Sequence, residues 1–164
     1  MISSKVEQAL NKQLNLEFYS SYFYLSMSAY FELNDLQGFS TWFRLQSEEE
    51  YSHAIKIFDF LNHVGGKITL SKIEAPKTKW DSFLSVFQDT SDHEKEVTKA
   101  INDLVDLAIS EKDHATVNFL QWFVSEQIEE EATAQQNVKK MEMIGDSKSG
   151  LYMLNREFGS RVAQ

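Results

Sequence analysis

Glu48-Glu49-Glu50-Tyr51-Ser52-His53 is the stretch on which the reading of this chain turns. Apolar residues recur around it at Phe39, Phe43, Ile57 and Phe60, and alternating steps of four and three carry that seam through Gln46, Glu50 and His53. A helix that buries this stripe buries a carboxylate and an imidazole. Residues three apart project from neighbouring turns roughly 60° apart, so Glu50 and His53 can grip one ion. An unpaired charge in a core is too costly to be incidental. Something must neutralise Glu50, and the other helices show what.

Upstream, a first helix is expected from about Ser4, read as an N-cap with Glu7 three residues on, to about residue 32. Its seam is Val6, Leu10, Gln13, Glu17, Ser20, Tyr24, Met27 and Phe31, again with an acid near the middle. A short link at Asn34, Asp35 and Gly38 sets the helix over about 37–63 antiparallel to the first. Gly65-Gly66 ends it and Pro76 follows, so 64–80 read as a connection without helical periodicity. Extended, that connection reaches roughly 56 Å, against roughly 40 Å for a helix of about 27 residues. It can therefore cross the whole length of a bundle, which makes the second and third helices parallel.

The third helix, about 81–111, carries Phe87, Thr90, Glu94, Val97, Ile101, Leu104 and Ala108 on its seam. The fourth, about 113–143, carries Leu120, Phe123, Gln127, Glu130, Ala134, Asn137 and Met141, and the tight turn between them makes the pair antiparallel. A fifth, about 147–158, aligns Leu151, Leu154 and Phe158, an apolar face that needs cover from other subunits or from its own bundle. The expected fold is all-α: an antiparallel four-helix bundle in one domain over 1–164, with one long crossover between helices 2 and 3 and a short fifth C-terminal helix.

Composition narrows the chemistry. With no cysteine, disulfides, thiolate zinc sites and iron–sulfur centres are excluded, and a reducing compartment is favoured. A net charge of −9 opposes nucleic acid as a partner and concentrates cations at the surface. The amino terminus shows no secretory h-region, and no apolar run approaches the roughly 20 residues needed to span a bilayer, so a cytoplasmic protein with no membrane partner is expected.

Each of the four long helices carries one seam acid near its midpoint: Glu17, Glu50, Glu94 and Glu130. Midpoints meet at one level, so four carboxylates and His53 gather inside the bundle, where they could not all ionise without cations. Two divalent ions balance four carboxylates. A Glu from each of two helices and a Glu-x-x-His from each of the other two is the ligand pattern of ferritin-like di-iron bundles. Here the first such motif is Glu50-Tyr51-Ser52-His53, and at the place of the second stands Gln127-Ile128-Glu129-Glu130. Such oxygen-rich ligands with one imidazole suit Fe(II), Mn(II) or Zn(II), and spacing does not choose among these.

The chain resembles prokaryotic non-haem ferritins over essentially its whole length. The resemblance lies in Asn15-Leu16-Glu17-Phe18-Tyr19-Ser20-Ser21, in Glu48-Glu49-Glu50-x-x-His53, and in Asn118-Phe119-Leu120-Gln121-Trp122-Phe123-Val124-Ser125-Glu126-Gln127-x-Glu129-Glu130-Glu131. It implies an iron-storage ferroxidase: two Fe(II) ions bind, O2 or H2O2 oxidises them, and the Fe(III) product passes to a mineral core inside a homo-oligomeric shell of two dozen subunits, a 24-mer. By matching positions, Glu17, Glu50 and His53 would hold the first iron. Glu94, Glu130 and the bridging Glu50 would hold the second, with Gln127 beside it. A third iron would map to Glu49, Glu126, Glu129 and Glu130.

Bacterioferritins, which bind haem, have a methionine before the motif histidine and a second Glu-x-x-His. This chain has Ser52 and lacks the second motif, so no haem is expected. Glu48 and Glu131 read as solvated charges. Glu111-Lys112-Asp113-His114 repeats the spacing across a helix-to-helix turn and reads as a decoy. His63 and His93 read as surface or capping residues, Tyr24 as a donor to a ligand, an electron donor to a trapped oxygen species or core packing, and Trp122 as core or interface packing. Two other functions compete with storage: a non-storage di-iron oxidase or peroxidase, and a helical interaction module whose buried acids set register.

Overall fold

The computed structural model describes residues 2–163. Among them it contains five helices and no strand: α1 (Ser4–Leu33), α2 (Gln37–His63), α3 (Phe83–Ser110), α4 (His114–Ile144) and α5 (Lys148–Phe158). The ends follow local chemistry. Ser3, not Ser4, caps α1, accepting from the Val6 N–H at 3.3 Å, while Glu7 accepts from the Lys67 N–H at 2.8 Å instead of returning to the cap. Ser82 and Ser85 form a reciprocal capping box, so α3 starts at Phe83 rather than near Asp81. Asp113 caps α4, accepting from the backbone and hydroxyl of Thr116. The α1–α2 and α3–α4 turns close alike: Asp35 and Lys112 each adopt a φ of 57°, and the next N–H bonds back to the helix, Leu36 to Phe31 and Asp113 to Ala108.

The long connection runs along α1 in the same direction. Asn11 donates to the Lys67 carbonyl and accepts from the Thr69 N–H; farther along, Asn15 donates to the carbonyls of Ser71 and Lys72, and Ser26 to that of Lys77. Partners that advance together on both segments carry the chain to the far end of α1, and α2 and α3 are consequently parallel. Trp80 closes the crossover, buried and donating to Asp89 at 2.8 Å.

Two apolar clusters fill the bundle. One holds Tyr24, Met27, Phe31, Phe39, Phe43 and Phe87; the other holds Leu10, Leu14, Ile57, Ile101, Leu120 and Phe123. On every long helix the seam acid falls between the residues of the two clusters. The fifth helix covers its own bundle: Leu154 and Phe158 are buried, and the Phe158 ring lies 4.9 Å from that of Phe39. Leu36 offers α2 no side-chain cap, and Asn155 of α5 supplies one by accepting from the Phe39 N–H at 3.1 Å. No helix among the described residues is long and apolar enough to cross a membrane.

Candidate metal centre

Serines at the α1–α2 contact let the two backbones approach and lock their register. Ser21 and Ser47 donate to each other's carbonyls at 2.7 and 2.6 Å, and Ser28 donates to the Ser40 carbonyl at 2.9 Å. This register places Glu17 beside Glu50 and His53. His53 Nδ1 stands 3.3 Å from Glu50 Oε2 and 4.0 Å from Glu17 Oε2. Across the bundle, Glu94 and Glu130 face Glu50.

Two sets of ligand atoms result, each confined within 4.8 Å: Glu17, Glu50 and His53 in one, Glu50, Glu94 and Glu130 in the other. Glu50 belongs to both. All five side chains are buried. A further set on the edge of the site joins Glu49, His53, Glu126 and Glu130; Glu129 is exposed and lies outside it.

Amides hold the acids in place. Gln13 donates to Glu17 at 2.7 Å, and Gln46 donates to both Glu50 and Glu130, at 3.1 and 3.0 Å. Gln127 stands beside Glu94: its amide nitrogen donates to Glu94 Oε2 at 3.1 Å, to the Glu94 carbonyl and to Thr98. Tyr24, wholly buried, donates to the other Glu94 oxygen. Glu17 Oε2 finds no donor among the described residues. A buried carboxylate oxygen without a donor beside an imidazole nitrogen is what a bound cation would complete.

The electrostatics agree. Burial raises the Glu17, Glu50 and Glu94 carboxyls above the usual range, with neighbouring charge adding to the rise at Glu50. Glu130 is pushed up to about 10 by burial and then by Glu50 and Glu94. Burial and the Glu94 charge raise the Tyr24 phenol. Without cations, burial and mutual repulsion favour the protonated form of these acids. A bound metal would compete with those protons.

Not every sequence expectation survives. His93 is neither surface nor cap: it is buried, its ring nitrogen 2.7 Å from the Ser20 hydroxyl among Tyr19, Phe23 and Tyr24, and burial lowers it to about 4. Trp122 is not in the core: it is exposed on this subunit, its ring 5.2 Å from that of His53 and under the Lys56 ammonium, which leaves the interface half of its expectation standing. Glu111 pairs with Lys5 at 3.0 Å, and neither Glu111 nor His114 belongs to a cluster of potential metal ligands among the described residues. The positioning amides Gln13 and Gln46 stand on the seams with no role that spacing alone assigns; each lies four residues before a candidate ligand acid, and that interval is the signal that finds them.

Residues 7–144 match the ferritin-like domain family. Among curated relatives, the bacterial non-heme ferritin of Bacteroides fragilis (strain 638R) is 44% identical over 161 residues, covering 98% of this chain and 100% of that protein. That of Staphylococcus aureus (strain MRSA252) is 36% identical over 162 residues, covering 99% and 98%. Among solved structures, an open pore ferritin from the archaeon Archaeoglobus fulgidus superimposes with a TM-score of 0.98 at 49% identity, covering 99% of each chain. With one fold, one length and full-length identity on this scale, the chain belongs to the ferritin-like domain family, among the non-haem ferritins.

Proposed function

We propose that this protein stores iron as a ferroxidase: each subunit takes two Fe(II) ions as substrate, O2 or H2O2 oxidises them, and Fe(III) mineral collects inside a 24-subunit shell. One observation carries the reading: two buried ligand sets share Glu50, so two cations seated there share a bridging carboxylate. In this reading Glu17, Glu50 and His53 hold the first ion and Glu50, Glu94 and Glu130 the second. Glu49 and Glu126, joined by His53 and Glu130, offer an outer position for a third. Family resemblance chooses iron over the other divalent ions that such oxygen and nitrogen donors accept.

The residues do three things for the reaction. Their dry, enclosed level holds two reducing ions a few ångströms apart, so that one O2 can take one electron from each and leave as peroxide with two protons. Gln13, Gln46, Tyr24 and Gln127 keep the carboxylates aimed while charge changes. The acids release their protons as the ions enter and can take them back when the product leaves. Ser52 before the motif histidine, where bacterioferritins carry methionine, supports a protein without haem, and the absence of cysteine suits the cytoplasm.

Stopped-flow oxidation of Glu50→Ala tests the reading. The variant is expected to lose rapid Fe(II) oxidation while the metal-free protein stays folded, because Glu50→Ala removes a buried carboxylate that metal-free folding must accommodate. A wild-type rate in the variant would remove Glu50 from the site.

A further inference from the structure

Arg161 follows α5 and turns back over α2. Its guanidinium stacks on the Trp42 ring, 4.6 Å from the centroid. Nη1 donates to the Trp42 carbonyl at 3.2 Å and to Gln46 Oε1 at 2.9 Å, and Nη2 donates to Glu49 Oε2 at 2.6 Å. The ion pair is four-fifths buried on both sides, with side-chain exposures of 19% and 20%.

A guanidinium has donors and no acceptor. By taking the Gln46 oxygen it decides which way that amide faces, because only the NH2 group is left to turn inward. There it donates to Glu50 and Glu130. Reversed, the amide would set its oxygen against two carboxylates and its NH2 against a cation. The same guanidinium neutralises Glu49 of the outer set, and it lines a cleft of about 600 Å³ with Glu49, His53, Trp122 and Glu126. One side chain from beyond the last helix therefore touches both metal-ligating regions, the inner pair through Gln46 and the outer set through Glu49.

We propose that Arg161 is a positioning residue with two separable effects. As a fork it fixes the Gln46 amide that spaces Glu50 and Glu130, and as a charge it is the resident counter-ion of Glu49, against which a divalent cation must compete for the outer set. The inference rests on the reading of these acids as metal ligands. Its two effects have opposite signs. Without Arg161, Glu49 is released and the outer set binds cations more tightly, while Gln46 is free to turn and the inner pair is less well ordered for oxidation. A lysine keeps the charge but cannot bridge two acceptors as a planar fork or stack as flatly on Trp42.

Crystals of the full chain soaked in graded Zn(II), an ion that does not change oxidation state, give anomalous occupancies at the inner and outer positions for wild type, Arg161→Ala and Arg161→Lys. Stopped-flow Fe(II) oxidation on the same proteins gives the inner-pair rate. In Arg161→Ala the outer set should half-fill at about tenfold lower Zn(II). Its oxidation should slow by about three- to tenfold. In Arg161→Lys the outer occupancy should return towards wild type while the rate stays low. Should Arg161→Ala fail to fold, the lysine variant still separates the effects. A purely structural loss would weaken both regions together, and that pattern, or an Arg161→Ala protein indistinguishable from wild type, overturns the inference. If wild type takes no Zn(II) at the inner positions, the reading of the acids as ligands fails and this inference fails with it; if it does and Arg161→Ala matches it, this inference alone fails.

Discussion

The main-chain carbonyl oxygen of Asn155 occupies the place where a side chain on Gly38 would begin. α5 thus docks directly on the first turn of α2, and the Asn155 side chain caps that turn through Phe39. Gly38→Ala must push α5 outward, and it is expected to cost about 1–3 kcal/mol of metal-free stability. Deleting 147–164 should cost more, because burial of Leu154 and Phe158 alone contributes about 1.5–3 kcal/mol each. The segment therefore serves the fold before any assembly. Thermal melting by circular dichroism reads both changes, and an unchanged midpoint in Gly38→Ala would mean that the helices do not meet this closely.

Metal-free stability is expected to depend on pH through the buried acids. Glu130 is pushed from 4.5 to about 10, and Glu17, Glu50 and Glu94 are raised in the same direction. Between those limits the folded protein binds more protons than the unfolded chain, so stability is greatest on the acid side and falls as pH rises. Glu50→Gln, a neutral isostere, should melt above wild type at about pH 8, with the gap closing towards about pH 4. Metal binding should release protons near neutral pH and flatten the alkaline decline. Metal-free melting midpoints that stay level from about pH 5 to about pH 9 would show that the acids are not held protonated.

Tyr24→Phe removes the donor on one oxygen of Glu94 and leaves Gln127 on the other. The loss should be about 1 kcal/mol of metal-free stability, together with Fe(II) oxidation slowed a few-fold. Stopped-flow rates at saturating Fe(II) and a melting curve check it. A Tyr24→Phe variant as fast and as stable as wild type would leave the phenol as packing alone.

Much of this was legible because a helix converts spacing into direction. Steps of four and three carried Glu17, Glu50, Glu94 and Glu130 onto their seams, and near-equal helix lengths brought the midpoints level. Contacts between helices have no such rule. His93 sits one residue off its seam and is buried because it packs against α1, hydrogen-bonded to Ser20 beside Tyr19 and Phe23. Glu129 shares its turn with Glu126 yet points to solvent, and His53 joins the outer set in its stead. Arg161 reaches Gln46 from beyond α5, a segment with no periodic relation to α2. Ser3 and Ser4 are chemically equal caps, and Lys67, far along the chain, engages the Glu7 that would have marked the choice.

The two candidate ligand sets are unequal, since one contains an imidazole and the other only carboxylates. Nitrogen ligation strengthens Fe(II) binding, so the set of Glu17, Glu50 and His53 should fill first. Crystals soaked in Fe(II) without oxygen, measured at the iron absorption edge, test the shared-carboxylate site most directly. Two anomalous peaks per subunit are expected, both in contact with Glu50, and at sub-stoichiometric iron the peak beside His53 should be the stronger. A stronger peak beside Glu94 and Glu130 would reverse the ranking, and the absence of iron from either side of Glu50 would contradict the two-ion site itself.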